Sequence, residues 1–263
     1  MPRSPESRSG SDRPAREPAR PGLARPENEP VLPDNVDTRT LPRPVRAELR
    51  SLPKDLGEIV AGHLVLAGQL IDEEPELAYA HAEAARRRAA RLPIVREAAA
   101  ETAYAAGRYD VALSEFRALR RMTGTDDYLP VMADCERALG RPQNALKLAK
   151  EAARKLLDPP LRLEMTIVEA GARADLDQLA EALRILERAR PAERPAAELA
   201  AAYARLSYAH ADLLLRADQP AAAREAFARA AELDTEQGTD AQQRLEELDG
   251  VLIEYDDDET ETG

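Results

Sequence analysis

Catalysis and metal binding need polar side chains that converge, and the residues best suited to either are few in this chain: His63, His81, His210 and a single cysteine, Cys135. The three histidines stand far apart, on separate predicted helices. No HExxH stretch or paired Cys/His spacing accompanies them, so no metal-ligand set is read from the sequence. Cys135 falls inside a predicted helix, beside its inward face and with no histidine in its own segment, which describes a buried and inert thiol. The glycines never form GxGxxG or a GxxxxGK phosphate loop, so nucleotide binding has no support. Carboxylates are abundant, but most lie on faces that helices expose to water, where charge is the default. No catalytic, metal-binding or cofactor-binding residue is assigned, and the expectation is a protein that binds rather than converts.

The elements that would position a binding surface are expected to be helical. Hydrophobic residues make up 44% of the 263-residue chain, aromatics only 3%, and the apolar content leans on Ala and Leu. These favour helix over strand, so an all-α fold is the first expectation. The formal charge is -12, and residues 251–263 supply half of it through Glu254, Asp256, Asp257, Asp258, Glu259 and Glu261. Such a balance disfavours non-specific attraction to nucleic acid or to an anionic membrane. A lone cysteine cannot form an internal disulfide, and MPRSPESRSG has no apolar core of a signal peptide, so a cytoplasmic location is expected. The stretch IVAGHLVLAGQLI at residues 59–71 is too short to span a bilayer. Residues 1–40, rich in Pro and Arg, read as a disordered arm, and residues 253–263 as a disordered acidic tail.

Between them, residues 41–252 carry turn signals at fairly regular distances. In AYAAGRYDVALSEFRAL, residues 103–119, Gly107 can end one helix in a left-handed conformation and Tyr109 can open the next. Ala112, Phe116 and Leu119 then share a face, while Ala100 and Ala103 let the preceding helix come close. The small residue recurs as Ala78, Ala112, Ala145, Ala182 and Ala223, at spacings of 34, 33, 37 and 41 residues. Gly140 repeats Gly107, Phe227 repeats Phe116, and Glu73, Asp177 and Asp218 replace the glycine in the outer repeats.

On these residues the chain resembles the tetratricopeptide repeat (TPR) family, and is similar to small cytosolic actinobacterial members of it. Residues 93–126 match best and 127–159 next, so the best repeats span 93–159. The resemblance implies a right-handed superhelical solenoid of about five helix-turn-helix hairpins. A capping helix over 239–249 would close it, opened by a capping box of Thr239 and Gln242 and apolar through Leu245, Leu248 and Leu252.

The family's groove positions, carried over, fall on Glu97, Glu101, Tyr104, Asp127, Asp134, Arg137, Glu164, Arg205, Tyr208, Asp212 and Arg216. Glu97 and Glu101 stand where the family's Lys and Asn would grip a C-terminal carboxylate, so that mode is not expected. Acidic groups beside Tyr104 favour a Lys- or Arg-bearing segment, and Arg205 and Arg216 could read acidic residues of the same ligand. The function implied is a non-catalytic scaffold or adaptor that holds an extended peptide or helix of a partner protein. The alternative is an RNA- or ribonucleoprotein-associated factor using the six arginines of residues 1–25, although Glu6, Asp12, Glu17, Glu27 and Glu29 leave the arm almost neutral.

Overall fold

Proline sets where many of the helices begin, because its fixed φ suits the first turn and its missing N–H would have had no partner there. The computed structural model describes residues 26–191 and 194–250, and among them every regular element is helical. The first four α-helices are α1 (Arg43–Leu49), α2 (Lys54–Leu70), α3 (Pro75–Ala89) and α4 (Pro93–Ala105). Next come α5 (Tyr109–Thr123), α6 (Leu129–Ala138), α7 (Pro142–Ala152) and α8 (Pro159–Ala174). The last four are α9 (Leu179–Ala189), α10 (Ala200–Arg216), α11 (Pro220–Leu233) and α12 (Ala241–Leu248). No helix among the described residues is long and apolar enough to cross a membrane.

One turn recurs four times. Gly107 (φ 68°), Gly140 (φ 71°), Asp177 (φ 59°) and Asp218 (φ 57°) all adopt the left-handed conformation. The next residue then reaches back with its N–H to a carbonyl five residues earlier: Arg108 to Ala103 at 2.8 Å, Arg141 to Glu136 at 2.9 Å, Gln178 to Arg173 at 2.9 Å and Gln219 to Leu214 at 3.0 Å. These bonds satisfy carbonyls that a helix end would leave unpaired. Aspartate tolerates the left-handed region better than most side chains, so the same turn forms where the sequence departs from glycine. The connection at Glu73 contains no left-handed residue.

The turn fixes which side chains meet. Ala100, Ala133, Ala170 and Ala211, each seven residues before a left-handed residue, have zero exposure, as do Ala112, Ala145, Ala182 and Ala223, each five residues after one. Helix α6 packs on α7, α8 on α9, and α10 on α11, and each hairpin meets the next through α6 with α8 and α8 with α10.

The chain divides into two compact units, residues up to Ala98 and residues from Ala99. In the first, α1, α2 and α3 enclose Val45, Leu49, Val60, Leu64 and Ala85. In the second, the core runs from Leu129 and Met165 through Leu186 and Leu206 to Phe227.

Two expectations are corrected. The capping box at α12 is not formed: the Thr239 hydroxyl turns to the Asp234 carboxylate at 2.5 Å, and Gln242 bonds Glu246 at 2.6 Å. Asp234 wins because it also accepts the N–H groups of Gly238 and Thr239, at 2.8 and 2.7 Å. Leu245 packs against the last hairpin, whereas Leu248 is exposed. The arm expected to be structureless through residue 40 holds a buried side chain, Glu29, and a 3-10 turn over Thr38–Thr40. Residues 1–25, Leu252 and the acidic tail lie outside the described residues.

A left-handed backbone costs an L-residue about 1–2 kcal/mol, less for aspartate, and glycine gives back part of that in chain entropy. Asp177→Gly with Asp218→Gly should therefore raise stability by about 0.5–1 kcal/mol, read as a higher urea midpoint at unchanged slope. A lower midpoint would show that these aspartates hold the turns by more than backbone conformation.

Candidate functional site

Four of the eleven groove positions converge on one cavity of the second unit. Arg137 from α6 and Tyr208, Asp212 and Arg216 from α10 line a space of about 460 Å³, with Ile167 and Gly171 of α8 and Arg244 of α12. That volume lies within the range of about 300–1,000 Å³ typical of ligand sites. Leu186, Leu213 and Leu215 supply apolar wall.

The polar groups of the cavity differ in how far they are already engaged. Arg137 lies across Gly171, where an added Cβ would come within 2.8 Å of the guanidinium, so glycine makes the notch. Its Nε donates to Asp175 at 2.6 Å and its Nη1 to Asp134 at 3.1 Å. Asp134 also accepts the Tyr104 hydroxyl at 2.5 Å. Burial, reinforced by the charge of Asp134, pushes that hydroxyl far above the ordinary tyrosine range. The Tyr104 ring meets Tyr109 edge-on at 5.6 Å, so it serves the fold rather than acting as an open stacking platform. Arg244 stands 5.0 Å over the Phe227 ring and 3.4 Å from Asp212, and donates to the Tyr208 hydroxyl at 3.3 Å. Burial raises the pKa of Asp212, and Arg244 opposes that shift.

Arg216 stands apart. It is exposed, and among the described residues its hydrogen bond goes to the Ala174 carbonyl at 3.1 Å rather than to a carboxylate. The guanidinium carries five N–H donors, so most remain for a ligand in the cavity.

The remaining positions do not join this cavity. Arg205 and Glu164 pair with each other at 2.6 Å. Asp127 lies in the exposed turn before α6, its N–H donating to Thr125 Oγ1 at 3.2 Å. Glu97 and Glu101 sit on α4, Glu97 half-buried within the first unit and Glu101 exposed. Gly171 and Arg244 were not foreseen. An isolated glycine inside a helical pattern signals close approach, and Gly171 carried that signal.

A second polar cluster lies in the first unit and brings together two histidines far apart in sequence. His63 on α2 and His81 on α3 are equidistant from Asp72 between the helices, so the antiparallel hairpin sets them opposite each other. Their Nδ1 atoms are 2.9 Å apart and both rings are buried. His63 Nε2 lies 3.4 Å from Glu29 Oε1. Arg88 grips the same carboxylate twice, Nη1 to Oε2 and Nη2 to Oε1, both at 2.7 Å, and Arg87 adds a bond at 3.1 Å. One assignment satisfies every ring nitrogen in this chain of contacts: His63 carries its proton on Nε2 toward Glu29, and His81 donates from Nδ1 to the bare Nδ1 of His63. Because Glu29 and His81 meet opposite edges of the His63 ring, the three cannot close on one ion. No group of three His, Cys, Asp or Glu among the described residues is arranged to hold a metal.

Burial dominates the titration of this cluster. It lowers the pKa of His81 to about 4, aided by the neighbouring His63, and lowers that of His63 against the pull of Glu29. Burial alone would raise Glu29, but the bonds from Arg88 and Arg87 hold its carboxyl below the usual range. Elsewhere, burial first and Asp134 second push the Cys135 thiol up to about 12, which removes the thiolate at neutral pH. His210, buried on α10, is likewise lowered by burial.

No protein-family model matches the chain, and no curated protein matches it.

The neutral pair has a consequence for stability. His81 is uncharged when folded down to about pH 4, whereas the unfolded chain takes up its proton near 6.5, so acidification between those values favours unfolding. Lowering the pH from 7 to 5 should cost about 2 kcal/mol through His81, and His81→Gln should flatten the dependence, as read by urea unfolding at pH 7, 6 and 5. An equal slope in both proteins would mean that His81 is not held neutral.

Proposed function

We propose that the chain is a non-catalytic binding module of the tetratricopeptide repeat kind, a scaffold that takes an extended peptide or short helix of a partner protein into the second unit. The observation that carries this reading is the meeting of Arg137, Tyr208, Asp212 and Arg216 at one cavity with an apolar wall. The recurrence of one left-handed turn and one buried alanine pair supports the repeat assignment. Hairpins so alike, stacked in series, are the building plan of a superhelical solenoid whose first helices line a groove. In this chain those helices are α6, α8 and α10, and they supply most of the cavity.

The ligand chemistry follows from what remains unspent. Arg137 is held by two carboxylates and Arg244 by an aromatic ring and Asp212, which leaves Arg216 as the principal reader of charge. A segment that places an acidic side chain at Arg216 and an aliphatic one against Leu213 and Leu215 fits both features. The mixed-charge ligand expected from Glu97, Glu101 and Tyr104 narrows accordingly, since Tyr104 is already bonded to Asp134.

Selection of random decapeptides on the wild-type protein should return sequences with an Asp or Glu near an aliphatic residue. Charge-assisted hydrogen bonds are worth about 1.5–3 kcal/mol, so Arg216→Ala should weaken those peptides about 10- to 100-fold. Its melting temperature should stay unchanged, because Arg216 is exposed. Failure to select any peptide, together with steeply salt-dependent binding of single-stranded RNA, would replace this reading with the RNA-associated one.

A further inference from the structure

In the first unit the segment that precedes α1 packs onto the hairpin of α2 and α3. Residues 26–32 form no regular helix, and prolines at 26, 30 and 33 keep the segment from joining one. Two side chains fix it to the helical hairpin. Glu29 enters among His63, Arg87 and Arg88, more than thirty residues away in sequence, and is 4% exposed. Three residues on, Leu32 lies against Gly62 of α2, where a Cβ would come within 2.8 Å of its Cδ1. Glycine at position 62 therefore leaves a notch, and an aliphatic side chain fills it.

The division of charge points to a receptor and a ligand. The helices supply the cations and the segment supplies the anion that they surround. Arg88 is only 5% exposed at its side chain, and its Nη1 also bonds the Ala84 carbonyl at 2.9 Å. A guanidinium so buried needs a carboxylate, because an unpaired buried charge is strongly disfavoured. Glu29 meets that need through groups that any carboxylate on a similar backbone would find.

We propose that the face of α2 and α3 around His63, Arg88 and Gly62 is a binding site for acidic peptides carrying Glu with an aliphatic residue three positions later, and that residues 26–32 occupy it in cis as an internal competitor. A tethered segment acts at an effective concentration of order millimolar, so a free peptide of the same chemistry is excluded until the internal one is weakened or withdrawn. The site shares no side chain with the cavity in the second unit.

The test is the fluorescence anisotropy of a labelled peptide of residues 26–35 (PENEPVLPDN) with the full chain. The Glu29→Ala/Leu32→Ala protein should bind it at least tenfold more tightly than wild type. Glu29→Gln in the peptide, or Arg88→Ala added to the protein, should reverse that gain at least tenfold. Equal binding by wild type and the double variant, or none by a double variant that still melts cooperatively, overturns the proposal. If the double variant loses its cooperative melt, Glu29→Gln, which keeps the shape and hydrogen-bonding reach of the side chain, is measured in its place under the same criteria. Loss of the fold there too shows Glu29 to be a permanent part of the core and also overturns the proposal.

Discussion

The hairpins from α6 to α11 each bury a methyl group at the same two places. Ala133 with Ala145, Ala170 with Ala182, and Ala211 with Ala223 occupy equivalent places in consecutive helix pairs, and none is exposed. Alanine at these positions lets helices approach without any loss of side-chain rotamer freedom, but a buried methyl contributes far less than a buried Leu or Phe. A hairpin built this way cannot be stable alone. It depends on neighbours, which is why α8 packs on α6, α7, α9 and α10 at once. The larger residues serve the space between elements: Leu186 and Leu206 are fully buried in the cluster shared by α8, α9 and α10, and Phe227 is fully buried where the last hairpin meets α12. A larger residue at an alanine position would separate the helices, and overpacking of that kind costs about 1–3 kcal/mol.

This dependence explains what the sequence disclosed. Small residues at fixed distances from a turn are a local pattern, so Ala112, Ala145, Ala182 and Ala223 could be found by spacing alone. The turn itself was legible as glycine at 107 and 140, and less so at 177 and 218, where the backbone conformation is kept and the residue is changed. The polar constellations were harder to foresee. Glu29 belongs to a stretch whose average composition resembles a solvated arm, and an average hides two anchors among its charges and prolines. The His63–His81 pair could have been inferred from hairpin symmetry, but its burial depends on a third segment whose arrival no periodicity announces.

Charge balance sharpens the reading of the cavity. With 49 acidic against 37 basic residues, a surface arginine in this chain is seldom far from a carboxylate. Arg120 is shared by Asp126 and Glu151, Arg117 binds Glu136, and Arg205 binds Glu164. The most exposed of these, Arg205 with Glu164, contributes little to stability, but every such pair neutralises a guanidinium before a ligand reaches it. Position in the repeat alone therefore does not tell which guanidinium is already engaged by a carboxylate. Arg205 and Arg216 lie on the same helix, and among the described residues Arg205 is paired with a carboxylate whereas Arg216 bonds a backbone carbonyl.

Gly62 and Gly171 reveal a shared device in the two units. Each sits within a helix, where glycine is unfavourable by roughly 1 kcal/mol relative to alanine, and each leaves a gap that a long side chain enters: Leu32 at Gly62 and Arg137 at Gly171. A helix face that gives up a Cβ gains a concave spot on an otherwise convex surface, and concavity is what short linear ligands need. In the first unit the gap lies next to a guanidinium pair closed over Glu29. In the second it lies beside Arg216, whose protein partner is a carbonyl. The two proposed sites therefore share two local conditions, a missing Cβ that shapes the helix surface and a guanidinium whose carboxylate is not supplied by its own helix.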